Sequence, residues 1–213
     1  MEYKIVPAII ATGKKDLLEK VDLVKKEISR IHIDVMDGVF VPRESNWFDF
    51  TLPRFKGVYE AHLMVKDVLS WIGGKNIDQF DSVIIHGEVG SHELLRRIIF
   101  AVKQKKKTVV LAFNPDTPWE NYLDFLHHVD GVQIMAVHPG NYGASFIART
   151  MEKIKTLREH FPKMDISVDG AMHEKHIALA KKAGANLFVV GGRIFKSSEP
   201  LKSLWELEKA LRK

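Results

Sequence analysis

The chain has 213 residues, of which 46% are hydrophobic and 28% charged, which is typical of one folded globular domain and excludes a disordered chain. It contains no cysteine, so disulfides and thiolate metal ligands are excluded and any metal must be held by His, Asp or Glu. The net charge of +5 comes mostly from basic residues in helix-like segments such as 103–107. This distribution favours solvated helix faces over a nucleic-acid surface, and we expect no nucleic-acid partner.

Apolar runs typical of buried parallel strands occur about eight times along the chain. In chain order they are 4–10, 31–36, 58–64, 82–86, 108–113, 131–137, 165–168 and 186–190. Segments with apolar residues at helical spacing lie between them, as in Leu17, Val21, Val24 and Ile28, in Leu94, Ile98, Ala101 and Val102, and in Ile177, Ala180 and Ala183. Gly184 is predicted to end the last of these helices.

Eight strand–helix units in this length predict a (β/α)8 TIM barrel, with residues 1–213 as its single domain. An open doubly wound sheet is the alternative, but it usually has a glycine-rich turn after its first strand. The turn after Ile10 reads ATGKKD and has one glycine. The first residues lack the layout of a signal peptide, and their apolar run is shorter than the roughly 20 residues of a membrane span. We therefore expect a cytoplasmic protein with no membrane partner.

Polar residues stand near the ends of several predicted strands, where barrel enzymes carry their active sites. They are His32, Asp34, His62, His86, Glu88, His138 and Asp169. A lone histidine at such a place is usually a hydrogen-bonded core or rim residue. His32, Asp34, His62 and Asp169, however, all interrupt apolar runs, where an unpaired polar group would be costly. Two imidazoles and two carboxylates suit zinc, iron, manganese or cobalt better than magnesium or calcium, which prefer oxygen ligands.

Glycines follow the last three predicted strands in the segments HPGNYG, DGA and VGGRIF. Loops after the seventh and eighth strands of a barrel commonly bind phosphate, because backbone N–H groups at a helix N-terminus favour an anion. Tight turns would explain the same glycines equally well. The candidate phosphate-binding residues are Gly140, Gly143, Gly170, Ala171, Gly191, Gly192 and Arg193.

Together these motifs resemble the ribulose-phosphate 3-epimerase family. The matching stretches are VPAII, IHIDVMDGVFVP, AHLMV, NPDTP, IMAVHPG, SVDG and AGANLFVVGGRIF, in the family's order across nearly the whole chain. The resemblance implies that one divalent ion, bound by His32, Asp34, His62 and Asp169, holds O2 and O3 of a ketose phosphate and stabilises a cis-enediolate. It also implies that Asp34 and Asp169 face C3 from opposite sides as the acid/base pair. Met36, Met64 and Met135 would line the substrate site, although methionine is otherwise ordinary packing.

The substrate loops depart from the pattern of that family. Ala8 replaces the family's usual serine, Arg43 its asparagine, and Ala171 the second glycine of DGG. The loop usually reading PGFGGQ is PGNYGA, with Asn141, Tyr142 and Ala144. Gly192 replaces a serine and removes a hydroxyl donor, and we expect Arg193 to offset this loss with a charged contact to the phosphate. The alternative is that Arg193 points to solvent or pairs with a surface carboxylate.

The sequence therefore predicts a metal-dependent epimerase that inverts C3 of a sugar phosphate in carbohydrate metabolism. The default pair is D-ribulose 5-phosphate and D-xylulose 5-phosphate of the pentose phosphate pathway. One alternative is another ketose phosphate, such as a hexulose 6-phosphate. A second is a non-catalytic sugar-phosphate-binding paralogue, although a binder has no need for two opposed carboxylates. A decarboxylase or aldolase is disfavoured because IHIDVMDG lacks the lysine of an Asp-x-Lys-x-x-Asp arrangement. We also expect a homo-oligomer.

Overall fold

Eight parallel strands close into a barrel with helices around it, which confirms the predicted fold. The structure is a computed structural model and describes residues 2–140 and 143–212. The substituted loop positions Asn141 and Tyr142 lie outside the described residues. The strands are β1 Lys4–Ile9, β2 Arg30–Asp37, β3 Glu44–Ser45, β4 Val58–Met64, β5 Ser82–His86, β6 Thr108–Phe113, β7 Gly131–Met135, β8 Asp165–Asp169 and β9 Leu187–Val190. All pair in parallel except the short β3, and the β1–β2 and β1–β9 pairs close the barrel.

The connections between the strands are mostly helical. The helices are α1 Lys14–Val24, α2 Val68–Gly73, α3 His92–Gln104, α4 Leu123–Leu126, α5 Thr150–His160, α6 Glu174–Ala183, α7 Gly192–Phe195 and α8 Pro200–Leu211. Three 3-10 segments cover Lys75–Gln79, Gly87–Val89 and Trp119–Tyr122. Across the described ranges, no helix has both the length and the apolar character needed to cross a membrane.

The apolar periodicity in the sequence predicted the helical segments correctly, but it did not always predict which helix face is buried. In α3 the buried positions are Leu95, Ile98, Ile99 and Val102, whereas the expected Leu94 is only half-buried. Gly184 ends α6 as predicted, with a left-handed φ of 114°. A side chain there would also collide with Arg158, since a Cβ atom would lie 2.7 Å from that residue's Cγ.

The register of the strands brings the polar residues of β2, β4 and β8 to the same end of the barrel. Asp34 on β2 is paired with His62 on β4. The strand β8 runs one residue further than predicted and includes Asp169, which is paired with Met135 on β7. Because alternate residues of a strand face the same side, His32 joins Asp34 on the barrel interior.

Candidate metal centre and active site

Four side chains converge where β2, β4 and β8 end, as the sequence predicted. His32, Asp34, His62 and Asp169 each offer one ligand atom, and these four atoms lie within 4.8 Å of one another. His62 Nδ1 lies 2.8 Å from Asp34 Oδ1 and 3.2 Å from His32 Nε2. Asp169 Oδ2 lies 3.6 Å from His62 Nδ1 and 3.9 Å from His32 Nε2. Both imidazoles are fully buried, and Asp34 is 5% exposed.

This spacing fits a small divalent cation. Donor atoms at about 2.0–2.2 Å from one ion, with angles of 90–109° between them, lie about 2.8–3.6 Å apart. The distances from His62 Nδ1 to the other three ligand atoms fall in that range, and the distance between His32 Nε2 and Asp169 Oδ2 is 3.9 Å, slightly above it. The set of two nitrogens and two carboxylate oxygens is also the chemistry that zinc and its neighbours in the first transition row prefer. The residues present therefore fit the implied metal.

Glu60 is a site residue that the sequence reasoning missed. It stands two positions before His62 on β4, so both face the barrel interior. Its Oε1 accepts a hydrogen bond from His32 Nδ1 at 2.8 Å, and its Oε2 accepts one from Arg30 Nη1 at 2.6 Å. An outer carboxylate of this kind fixes the orientation and tautomer of a metal-binding histidine. A glutamate inside the apolar run VYEAHLM was the available signal.

His86 and Glu88 also belong to this cluster, whereas His138 does not. His86 Nε2 lies 2.9 Å from His62 Nε2, and His86 Nδ1 lies 3.3 Å from Glu88 Oε2. His138 has a half-exposed side chain and lies 3.6 Å from Asp116 Oδ2. The structure therefore places two of the three remaining strand-end residues beside the candidate metal centre.

The charges of the cluster separate the two aspartates. Burial opposes ionisation of Asp34, but the neighbouring His32 and His62 outweigh it and lower the pKa of Asp34 far below its usual value. Burial and the negative charge of Asp34 raise the pKa of Asp169 to about 6. For His32, burial lowers the pKa, but Asp34 and Glu60 more than reverse this and raise it well above 6.5. Two carboxylates of unequal basicity are suited to opposite roles in proton transfer.

A pocket of about 700 Å³ opens above these residues. Asp34 and Asp169 line it together with all three predicted methionines and the glycine-rich loops. Of the residues predicted to bind the substrate or its phosphate, His62 does not line the pocket. The others do: Met36, Met64, Met135, Gly140, Gly143, Gly170, Ala171, Gly191, Gly192 and Arg193. The substituted positions Ala8, Arg43 and Ala144 line it as well. The pocket wall also includes Phe146, whose ring stacks on His176 at 3.8 Å, and no sequence signal indicated this pair.

The loop after β8 is built from two left-handed residues. Gly170 has a φ of 113°, and a Cβ atom there would lie 2.5 Å from Val137 Cγ2. Ala171 has a φ of 52°. An alanine in this region is strained by about 1–2 kcal/mol relative to a right-handed conformation. The alanine therefore preserves the turn that a glycine would form, at a cost in stability.

Arg193 forms ion pairs with neighbouring helices in place of the expected contact to the phosphate. Its Nη2 donates to Glu174 Oε1 at 2.7 Å and to Glu206 Oε2 at 2.9 Å, and its Nη1 donates to Ser203 Oγ at 2.7 Å. Its Nε donates to the same Glu174 oxygen. The guanidinium thus ties α7 to the start of α6 and to α8. This pairing is the alternative that the sequence left open, and it arises because two carboxylates from neighbouring helices flank the guanidinium.

Comparisons of sequence and of structure show which known proteins this chain is similar to. Residues 4–195 match the model of the ribulose-phosphate 3-epimerase family. The cytoplasmic isoform of ribulose-phosphate 3-epimerase from Oryza sativa is 30% identical over 98% of this chain and 94% of its own length. Ribulose-phosphate 3-epimerase from Candida glabrata is 28% identical over 98% of this chain and 92% of its own length. Among solved structures, orotidine 5'-monophosphate decarboxylase from Sulfolobus solfataricus superposes with a TM-score of 0.69 at 15% identity, covering 99% of this chain and 98% of that one.

Proposed function

The chain belongs to the ribulose-phosphate 3-epimerase family, and from this membership we propose that it inverts C3 of a ketose phosphate. The substrate pair is D-ribulose 5-phosphate and D-xylulose 5-phosphate. The observation that carries the proposal is the convergence of His32, Asp34, His62 and Asp169, of which the two aspartates line one pocket. A protein that only binds sugar phosphates gains nothing from two converging carboxylates of unequal basicity.

A divalent cation, zinc, iron, manganese or cobalt, would be held by His32 Nε2, Asp34 Oδ1, His62 Nδ1 and Asp169 Oδ2. Bound there, it supplies Lewis-acid stabilisation of the oxyanion that develops when a proton leaves the carbon next to a carbonyl. The protein's own contribution is to hold the substrate and to move the proton.

Asp34 and Asp169 are the groups that remove and return the C3 proton. They stand on β2 and β8, which β1 and β9 separate around the barrel, so they approach the pocket from different sides. A base on one face and an acid on the other is the simplest route to inversion. Asp34 is the more acidic of the two carboxyl groups and Asp169 the more basic, so the two groups are not equivalent as proton carriers.

The remainder of the pocket binds and shields the substrate. Met36, Met64 and Met135 are each 3% exposed and give the site an apolar wall, which excludes water from a carbanion-like species. The loops after β8 and β9 supply backbone N–H groups for the phosphate, with Gly191 so close to β1 that a Cβ atom would lie 3.1 Å from Ala8 O. Phosphate recognition thus depends on backbone amides and not on Arg193.

A hexulose 6-phosphate is the second candidate substrate. Ala8 and Gly192 stand where the family's pattern has serines, and both line the pocket. The loss of two hydroxyl groups leaves more room beside the substrate. We further propose a cytoplasmic location, which is also the location in the name of the rice relative.

The proposal is tested by measuring conversion of pentulose 5-phosphates and hexulose 6-phosphates by the purified, metal-analysed protein. We expect kcat/KM to be highest for the D-ribulose 5-phosphate and D-xylulose 5-phosphate pair, and we expect Asp169→Asn to lower the turnover of every substrate by about 10²–10⁴-fold or more. Faster conversion of a hexulose 6-phosphate would change the proposed substrate, but the proposed reaction, inversion at C3, would stand. A folded, metal-loaded protein that binds these compounds and converts none would refute the proposal in favour of a binding protein.

A further inference from the structure

A line of hydrogen-bonded groups runs outward from the candidate ligand His62. His62 Nε2 lies 2.9 Å from His86 Nε2, and His86 Nδ1 lies 3.3 Å from Glu88 Oε2. The other oxygen of Glu88, Oε1, accepts the backbone N–H of Asn114 at 2.9 Å. Both histidines are fully buried, so water does not compete for the bonds between them.

The two imidazoles are aligned for a direct hydrogen bond. Their ring planes differ by 18° and their centroids are 5.0 Å apart. With the two Nε2 atoms only 2.9 Å apart, the rings face each other edge to edge. One nitrogen must therefore carry a proton and the other must present a lone pair, since two lone pairs or two protons would repel.

The direction of this bond is decided at the far end of the line. The backbone N–H of Asn114 is a donor that cannot exchange its role, and the Glu88 carboxylate accepts from both of its neighbours. His86 must then carry its proton on Nδ1 and present a lone pair on Nε2. His62 must carry a proton on Nε2, so that its Nδ1, which faces Asp34, His32 and Asp169, would offer a lone pair to a bound metal ion.

We propose that His86 and Glu88 are positioning residues that keep a proton on His62 Nε2 and so leave Nδ1 free to bind the metal. This inference rests on the metal centre of the proposed function. His86 and Glu88 themselves would touch neither the metal nor the substrate. The second histidine ligand is held differently, because His32 donates directly to Glu60, whose charge Arg30 balances. His62 reaches a carboxylate only through a second imidazole, and its tautomer therefore depends on two residues.

Glu88→Gln tests the direction of the line by changing a single acceptor into a donor. The Asn114 N–H still needs an acceptor, so the amide oxygen of the glutamine takes that position and the amide N–H faces His86 Nδ1. The proton of His86 then moves to Nε2, and that of His62 moves to Nδ1, where it opposes metal binding. Loss of an outer-shell partner typically weakens metal affinity about 10–100-fold, and we expect a loss in that range for zinc.

Asp130→Asn is the matched control. Asp130 also accepts a backbone N–H, from Val109 at 2.8 Å, and it has no contact with His62 or His86 among the described residues. Zinc affinity would be measured by competition with a chelator for the parent and both variants, with thermal unfolding of each. We expect Glu88→Gln to lose zinc affinity with an unfolding midpoint near the parent's, and Asp130→Asn to keep the parent's affinity.

A second measurement does not depend on any variant. Long-range 1H–15N NMR of the zinc-loaded parent reports which nitrogen of each histidine carries its proton. Protons on His62 Nε2 and His86 Nδ1 support the proposal. A proton on His86 Nε2, or unchanged zinc affinity in a folded Glu88→Gln, overturns it while the metal centre stands. A parent that binds no zinc, iron, manganese or cobalt overturns the metal centre itself and the inference with it.

Discussion

Replacing Arg193 with alanine separates a structural role from a phosphate-binding one. In the structure the guanidinium donates to Glu174, Glu206 and Ser203 and joins three helices. Its side chain is 31% exposed, so the ion pairs are partly screened by solvent. Pairs of this kind are worth about 0.2–1 kcal/mol each. With the hydroxyl bond included, we expect Arg193→Ala to lower the free energy of unfolding by about 1–2 kcal/mol.

The expected signature is a change in stability with little change in substrate binding. For a domain of this size, 1 kcal/mol corresponds to about 2–4 °C in the unfolding midpoint, so the midpoint falls by about 2–8 °C. The KM for a phosphorylated ketose stays within about twofold of the parent's, because the lost contacts are between helices and do not involve the substrate. Calorimetry and steady-state kinetics on the same preparations measure both quantities.

Lys202→Ala is the control for this experiment. Lys202 pairs with Glu199 at 3.0 Å on α8, and both side chains are well exposed. We expect its removal to change stability by less than about 0.5 kcal/mol. If Arg193→Ala raised KM tenfold and left the unfolding midpoint unchanged, the guanidinium would leave its carboxylates to bind phosphate, and the assignment of recognition to backbone amides would be wrong.

Three further outcomes follow from the site. Asp34→Asn and Asp169→Asn should each lower turnover by about 10²–10⁴-fold or more, since each variant removes a proton-transfer group. Near-normal turnover with the metal still bound would show that the two aspartates are not the acid/base pair. Metal binding needs His32 without a proton on Nε2 and Asp169 ionised, and both pKa values are raised, that of His32 well above 6.5 and that of Asp169 to about 6. Zinc affinity should therefore fall as the pH drops from 7 to 5, by about tenfold per pH unit for each of these ligands that the metal-free protein holds protonated. A flat titration between pH 5 and 7 would contradict this. Ala171→Gly should raise the free energy of unfolding by up to about 1 kcal/mol, because the relief of left-handed strain exceeds the added entropy of the unfolded glycine. A lower free energy of unfolding in this variant would show that Ala171 is not strained.

The barrel and the four residues of the candidate metal centre were predictable because they depend on local patterns. Buried parallel strands read as apolar runs, and a histidine or aspartate inside such a run stands out in the sequence. His32, Asp34, His62 and Asp169 could be found in this way because a barrel gathers the ends of its strands at one place. Glu60 carries the same signal, but it lies near the start of β4 and not at the strand end, where barrel enzymes carry their active sites.

The partners of charged residues could not be predicted in the same way. Arg193 has two carboxylate neighbours, one 19 positions before it and one 13 positions after it. Only the packing of α6 and α8 against α7 brings them together. The stacking of Phe146 on His176 and the burial of Asn46, whose amide bonds to the backbone of Ile9 and Asp34, likewise depend on loop conformations that have no periodic signal.

The central claim is that two aspartates on opposite sides of the pocket exchange the C3 proton, and deuterium incorporation tests it most directly. The zinc-loaded protein would convert D-ribulose 5-phosphate in deuterated water, with the reaction stopped well before equilibrium. The account predicts product that carries deuterium at C3 and unconverted substrate that retains mostly protium there, because one aspartate removes the proton and the other supplies a solvent-derived one. Product that retains the substrate's own hydrogen at C3 would mean that a single group carries the proton between faces, and would contradict the account.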